Sequence, residues 1–91
     1  MNKVYLVICE SNLPGVYEQT IEDCFDSKDK AQNCVSTCEQ DVITQCDKGE
    51  FYPEYFKDYE AILTKEYCNI TSKKDSMFFV RYYVEELDVH S

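Results

Sequence analysis

Glycine is scarce in this chain of 91 residues: Gly15 and Gly49 are the only two, and they stand apart in separate turns. A glycine-rich phosphate cradle cannot be built from them, which argues against nucleotide-dependent activity. Imidazole is scarcer still, with His90 alone and one residue from the end. A Cys–His nucleophile pair therefore has no base at hand. Tryptophan is absent. Cations are few as well: nine Lys and Arg stand against eighteen Asp and Glu, for a net charge of −9. That surplus repels phosphate, so direct nucleic-acid or anionic-membrane binding is not expected, and a basic partner fits better.

Long apolar runs are missing too. The opening stretch holds six apolar residues, Val4 to Cys9, then turns acidic at Glu10 with no small-residue cleavage site behind it. It reads as a strand rather than a leader. No other stretch approaches the ~18 apolar residues that span a bilayer, so the expectation is a soluble, cytoplasmic protein. In that setting the six cysteines are expected to stay reduced, and the Asn69-Ile70-Thr71 glycosylation triplet is discounted.

What the chain does have is bulk. It is 44% hydrophobic and 14% aromatic, with eight Tyr and five Phe, enough to fold despite its charge. Its length suits a single compact domain over residues 1–91.

Val4, Leu6 and Ile8 alternate with Tyr5, Val7 and Cys9, apolar on both sides, which suggests a central strand over residues 3–9 with both faces covered. Ser11 to Gly15 is turn chemistry leading to a second, acidic strand, Val16 to Phe25, suited to an edge. Ser27 then caps a helix to about Asp47, with Asp29 in its first turn. Ala31, Cys34, Val35, Cys38, Val42 and Cys46 fall on one arc of roughly 120°, a core-facing stripe.

The periodicity predicts a second helix from Pro53 to about Glu66. Tyr52, Tyr55, Phe56, Tyr59, Ile62, Leu63 and Tyr67 project onto an arc of roughly 140°. A short strand from Tyr67, a polar turn over Ser72 to Ser76, and a last strand from Met77 to about Leu87 complete the chain. In that strand Phe78, Val80, Tyr82 and Val84 should pack under the helices. The fold class that follows is α+β: a mostly antiparallel four-stranded sheet with two helices on one face, in the order ββααββ.

Four thiolates drawn from Cys24, Cys34, Cys38, Cys46 and Cys68 could in principle hold zinc. However, no tight C-x2-C knuckle is present, and the helical cysteines sit where small core residues are needed. Paired carboxylates at Glu22-Asp23 and Glu85-Glu86 are strand neighbours that point to opposite faces, so they cannot flank one bond. No catalytic residue, cofactor or metal ligand is assigned.

The acidic surplus offers a binding reading and a bland one, solubility. In the first, Glu50, Glu54 and Asp58 recur every four residues on the exposed side of the second helix, and Glu85, Glu86 and Asp88 cluster at the end of the last strand. Acids one helical turn apart lie roughly 5–6 Å from each other, near the spacing of phosphates, so such a row would imitate nucleic acid to a basic protein groove.

Three stretches carry a resemblance: Lys3 to Val7 as an opening strand, Phe25-Asp26-Ser27-Lys28-Asp29-Lys30-Ala31 as a strand entering a capped helix, and Tyr83 to Asp88 as a closing acidic strand. About a third of the chain resembles short phage and prophage proteins of unknown function that share the F-x-S-x-x-K-A helix start. The middle, residues 40–67, departs from them. The resemblance implies a host-takeover or anti-defence factor in the host cytoplasm, a class that includes DNA-mimicking inhibitors.

Together these readings lead to a small non-enzymatic inhibitor or adaptor that binds a basic host or defence protein. The alternative is an oligomer that sequesters a nucleotide-like signal through Arg81 and Lys73 or Lys74. A metal-bound regulatory domain is a third.

Overall fold

The computed structural model describes residues 2–89. Strand β1 (Asn2–Leu13) turns at Pro14-Gly15 into β2 (Val16–Phe25), and helix α1 (Lys28–Asp47) follows. A single helical turn, α2 (Pro53–Phe56), then leads into β3 (Tyr59–Leu63), β4 (Tyr67–Ser72) and β5 (Phe79–Val89). The strands form one antiparallel sheet in the order β2-β1-β5-β4-β3.

The first half forms as its residues dictate. Leu13 pairs with Val16 across a two-residue turn in which Gly15 takes φ +84°, a conformation that side chains with a Cβ rarely adopt. Ser27 Oγ accepts from the Lys30 N–H at 3.5 Å, Asp29 lies in the first turn, and α1 ends just before Gly49 at φ +72°. Ala31, Val35, Val42 and Cys46 of the expected stripe are buried, with Cys34 and Cys38 half-buried beside them. These residues meet Val7 of β1, Val80 of β5, and Cys68 and Ile70 of β4 in the core. Phe78, Tyr82 and Val84 pack against that core, as the alternation of the last strand requires.

The second half corrects the ββααββ expectation: there are five strands, and the second helix is one turn. Residues 59–63 do not continue α2 but pair with β4, Tyr59 opposite Ser72 and Leu63 opposite Cys68. Short runs of Tyr, Ile and Leu satisfy a helical arc and a strand equally, and tertiary pairing decides between them. Here β4 is the deciding neighbour. Its Cys68, Ile70 and Ser72 are fully buried, and Cys68 to Thr71 pair with β3 on one side and β5 on the other. Phe56, with no exposed surface, anchors α2 in the core, and Ser72 Oγ donates to the Tyr55 carbonyl while accepting from the N–H groups of Lys74 and Asp75.

The expectation that both faces of the first strand are covered is also corrected. The helix and α2 lie on one face only. Tyr5, Val7 and Cys9 point beneath them, whereas Val4, Leu6, Ile8 and Glu10 line the other face, which no element of the described residues covers. Among those residues no helix is long and apolar enough to cross a membrane.

Candidate functional site

The acidic residues that the sequence singled out do not form one surface. Glu54 is in α2 and Asp58 beyond its end, so the helical row with Glu50 is not built. The Lys73 N–H donates to the Asp58 carbonyl and the Ser72 N–H to that of Phe78, which sets this group beside the start of β5. Glu85, Glu86 and Asp88 lie toward the far end of β5, about 20 Å away at ~3.3 Å per residue. There Glu86 is engaged by Lys3 at 3.0 Å. Glu54 and Asp58 share a shallow cavity of about 590 Å3 with Tyr55, Lys57, Lys73 and Lys74, and Lys74 Nζ sits 5.4 Å from the Tyr55 ring centroid. Both predicted clusters are therefore mixed in charge. Arg81, offered as an anion contact alongside Lys73 or Lys74, is instead on the uncovered face, where its guanidinium holds Glu10 at 2.9 Å.

The acidic strand read over Val16 to Phe25 is indeed the edge strand β2, and what the sequence does not show is the stretch of α1 that adjoins it. No Lys or Arg occurs in β2, nor in α1 from Ala31 to Asp47. As an edge strand, β2 brings Glu18 and Glu22 to the margin of α1. A bulge opposite Val7 and Ile8 leaves Glu22 as the extra residue, so Glu22 and Asp23 both sit opposite one β1 position. Glu18 and Glu22 act on the Cys9 thiol, and Glu22 and Asp41 act on that of Cys38. Beside burial, the charges of Glu18, Glu22 and Asp41 make smaller contributions that all act in the same direction on these thiols.

Cys9 and Cys38 form a group with Cys34 and the Tyr82 hydroxyl. Burial, with the carboxylates adding to it, pushes Cys9 up to about 11 and Cys38 to about 12, and it also drives Tyr82 upward. These groups stay protonated at neutral pH, and a neutral thiol is a poor nucleophile and a poor metal ligand. All six cysteines are unpaired. Among the described residues, no three of His, Cys, Asp and Glu come together to hold a metal. His90 lies outside the described residues.

The free side of β2 gives the acidic margin a second property. Along this edge strand the N–H and C=O groups that point away from β1 face no other strand of the described residues, and every β2 residue but Phe25 is exposed. Such an edge accepts an added strand, and the side chains flanking it choose which strand. Here acids do the choosing. Compared with protein-family models, curated proteins and solved structures, the chain matches none of them.

Proposed function

We propose that this protein is a non-enzymatic binding protein of the inhibitor or adaptor kind, and that it engages a basic protein surface along β2 and the adjoining margin of α1. The observation that carries the reading is an exposed edge strand, β2, that bears Glu18, Glu22 and Asp23 and no Lys or Arg, beside a stretch of α1 from Ala31 to Asp47 that bears none either. Acids around an exposed edge favour a Lys- or Arg-bearing extended segment: backbone pairing supplies register, and charge supplies steering and choice of partner. Only four of the eighteen acids stand in ion pairs among the described residues, so most of the negative field is free to act at a distance. The inhibitor sense, directed at a host or defence protein, rests on the resemblance to short phage proteins.

Affinity capture from bacterial lysate at low and at high salt tests it, with mass spectrometry naming what is retained. The expected result is a basic protein held at low salt, released at high salt, and lost with Glu18→Lys/Glu22→Lys. Retention that is indifferent to salt and to this charge reversal would remove the proposal. Loss with Glu54→Lys/Asp58→Lys instead would move the contact to the α2 end.

The cavity beside Tyr55 favours one second reading, capture of a small anionic ligand by Lys57, Lys73 and Lys74. A thermal shift with nucleotides that disappears in Lys73→Ala/Lys74→Ala supports it, and no shift removes it.

A further inference from the structure

We propose that the uncovered face of the sheet is an interface between two copies of this chain. The register defines the face. Across β1 and β5, Val4 sits opposite Leu87, Leu6 opposite Glu85, Ile8 opposite Tyr83, and Glu10 opposite Arg81. Strand β2 adds Ile21 beside Ile8 and Tyr17 beside Asn12, while β4 adds Tyr67 beside Tyr83. Apolar and aromatic residues form the larger part of this face, crossed by a polar row of Gln19, Glu10, Arg81 and Asn69. Ile21 is 63% exposed and Tyr17 58%, while Leu87 and Val89 extend the patch along β5. The α1 face of the same sheet is covered; this one has nothing on it but its own side chains.

Charge selects the occupant. Arg81 is the one cation on this face among the described residues, and it is already bound to Glu10, so phosphate or an anionic lipid surface finds nothing to hold. A basic partner finds no row of acids to hold: of the free acids here, Glu60 lies on the edge strand β3, and Glu85 stands alone between Tyr83 and Leu87, past the end of the β4 ladder. A surface with apolar ground and one neutralised ion pair near its middle fits another of the same composition. A two-fold axis near Glu10 and Arg81 sets the pair against its equivalent, so that the signs of the two pairs alternate.

Size agrees. Five strands ~4.8 Å apart, with central strands ~35 Å long, give a flat area on the order of 700 Å2. A stable interface buries about 800 Å2 per partner. Two twisted sheets stack face to face at about 30° with ~10 Å between them, and the apolar side chains of both supply the filling. The acidic margin of β2 and α1 points to the helical side, so the pairing leaves it open in both copies.

Sedimentation velocity across protein concentration, at low and high salt, tests the proposal. The expected species is a dimer of the 10.7 kDa chain whose affinity holds or rises with salt, since salt screens the repulsion between two copies of net charge −9. This is opposite to the salt response expected of the basic partner, so either idea can fail without the other. Ile21→Lys places a cation on the exposed patch and should yield monomers that still melt cooperatively. Val16→Lys, at a comparably exposed apolar position of β2 on the other face, should leave the dimer intact. A wild-type monomer at both salts overturns the proposal, as does a dimer that survives Ile21→Lys or one that Val16→Lys disrupts equally.

Discussion

The two faces of this sheet are made by the same strands, residue by alternate residue, yet they solve burial differently. On the helical face Val7, Cys68, Ile70 and Val80 lose their exposure to α1 and Phe56. On the other face Ile8 is 7% exposed with no element above it, shielded only by neighbours on its own sheet. The faces also treat a carboxylate differently. Glu39, on α1, is buried without a cation, and burial raises its pKa. Glu10 is half-buried with Arg81 beside it. The helical face behaves as a finished interior, whereas the opposite face mixes Leu6, Ile8, Ile21 and Tyr83 with Gln19, Asn69 and Glu85 and keeps the exposure of a surface. Stability should therefore reside on the first face and association on the second.

Removing a core ring is the strongest way to break this contrast. Phe56→Ala takes out a side chain with no exposed surface that meets Phe51 edge-on at 5.1 Å and holds α2 against β4. Truncation of a buried Phe costs about 3–5 kcal/mol, enough to unfold most of a domain this small at physiological temperature. Ile62→Ser, on the uncovered face at 57% exposure, should change the stability of the monomer, measured at high dilution, by less than about 0.5 kcal/mol. Chemical denaturation of both variants is the check, and comparable losses would mean that the two faces are not energetically distinct.

The ion pair sharpens the comparison on the uncovered side. Arg81→Met leaves Glu10 half-buried without its cation and removes the guanidinium from its place 4.6 Å from the Phe79 ring centroid. The expected cost is about 1–3 kcal/mol, most of it from the stranded carboxylate. Adding Glu10→Gln should recover a large part, because the loss lies in the unpaired charge rather than in the pair. The buried Arg81 Nε and Asn69 Oδ1 have no hydrogen-bond partner, so the arginine is not in an ideal site to begin with. A double variant as unstable as the single one would contradict this account.

How much of this was legible in the sequence follows from which interactions are local. Ser27, the stripe from Ala31 to Cys46, and the alternation from Phe78 to Val84 were readable because each signal lies within one element. Residues 59–63 were not, since Tyr59, Ile62 and Leu63 suit either period and only pairing with β4 settles the matter. The apolar character of both sides of β1 was visible, but apolar alternation does not say whether a helix, another sheet or nothing covers a face. The acidic edge strand was legible, but its partnership with α1 was hidden for a related reason. Glu18 and Glu22 belong to β2 and Asp41 to α1, and their nearness depends on the packing of helix against edge strand, with the bulge bringing Glu22 round. The signal that was available, a cation-free β2 and a cation-free α1 from Ala31 to Asp47, is an absence shared by two distant segments, easily passed over beside the regular spacing of Glu50, Glu54 and Asp58.

The smallest expected effect concerns the other carboxylate. Glu39 lies on the inward side of α1, and among the described residues its one polar contact is a 3.3 Å hydrogen bond from Gln40 Nε2. Burial raises its pKa above the ordinary 4.5, so the folded protein holds this proton more tightly than the unfolded chain does. The stabilising contribution is therefore complete below pH 4.5 and is lost as pH rises through the raised value, leaving a buried anion at neutral pH. Glu39→Gln keeps the shape and removes the titration. It should raise stability at pH 7 by an amount on the order of 1 kcal/mol, with the gain shrinking toward zero below pH 4.5. Thermal melts of both proteins across that range would show two curves that converge in acid and separate toward neutrality. Parallel curves, or a variant less stable at pH 7, would mean that Glu39 is held by an interaction stronger than its hydrogen bond to Gln40, and that the helical face tolerates charge better than the contrast with Glu10 implies.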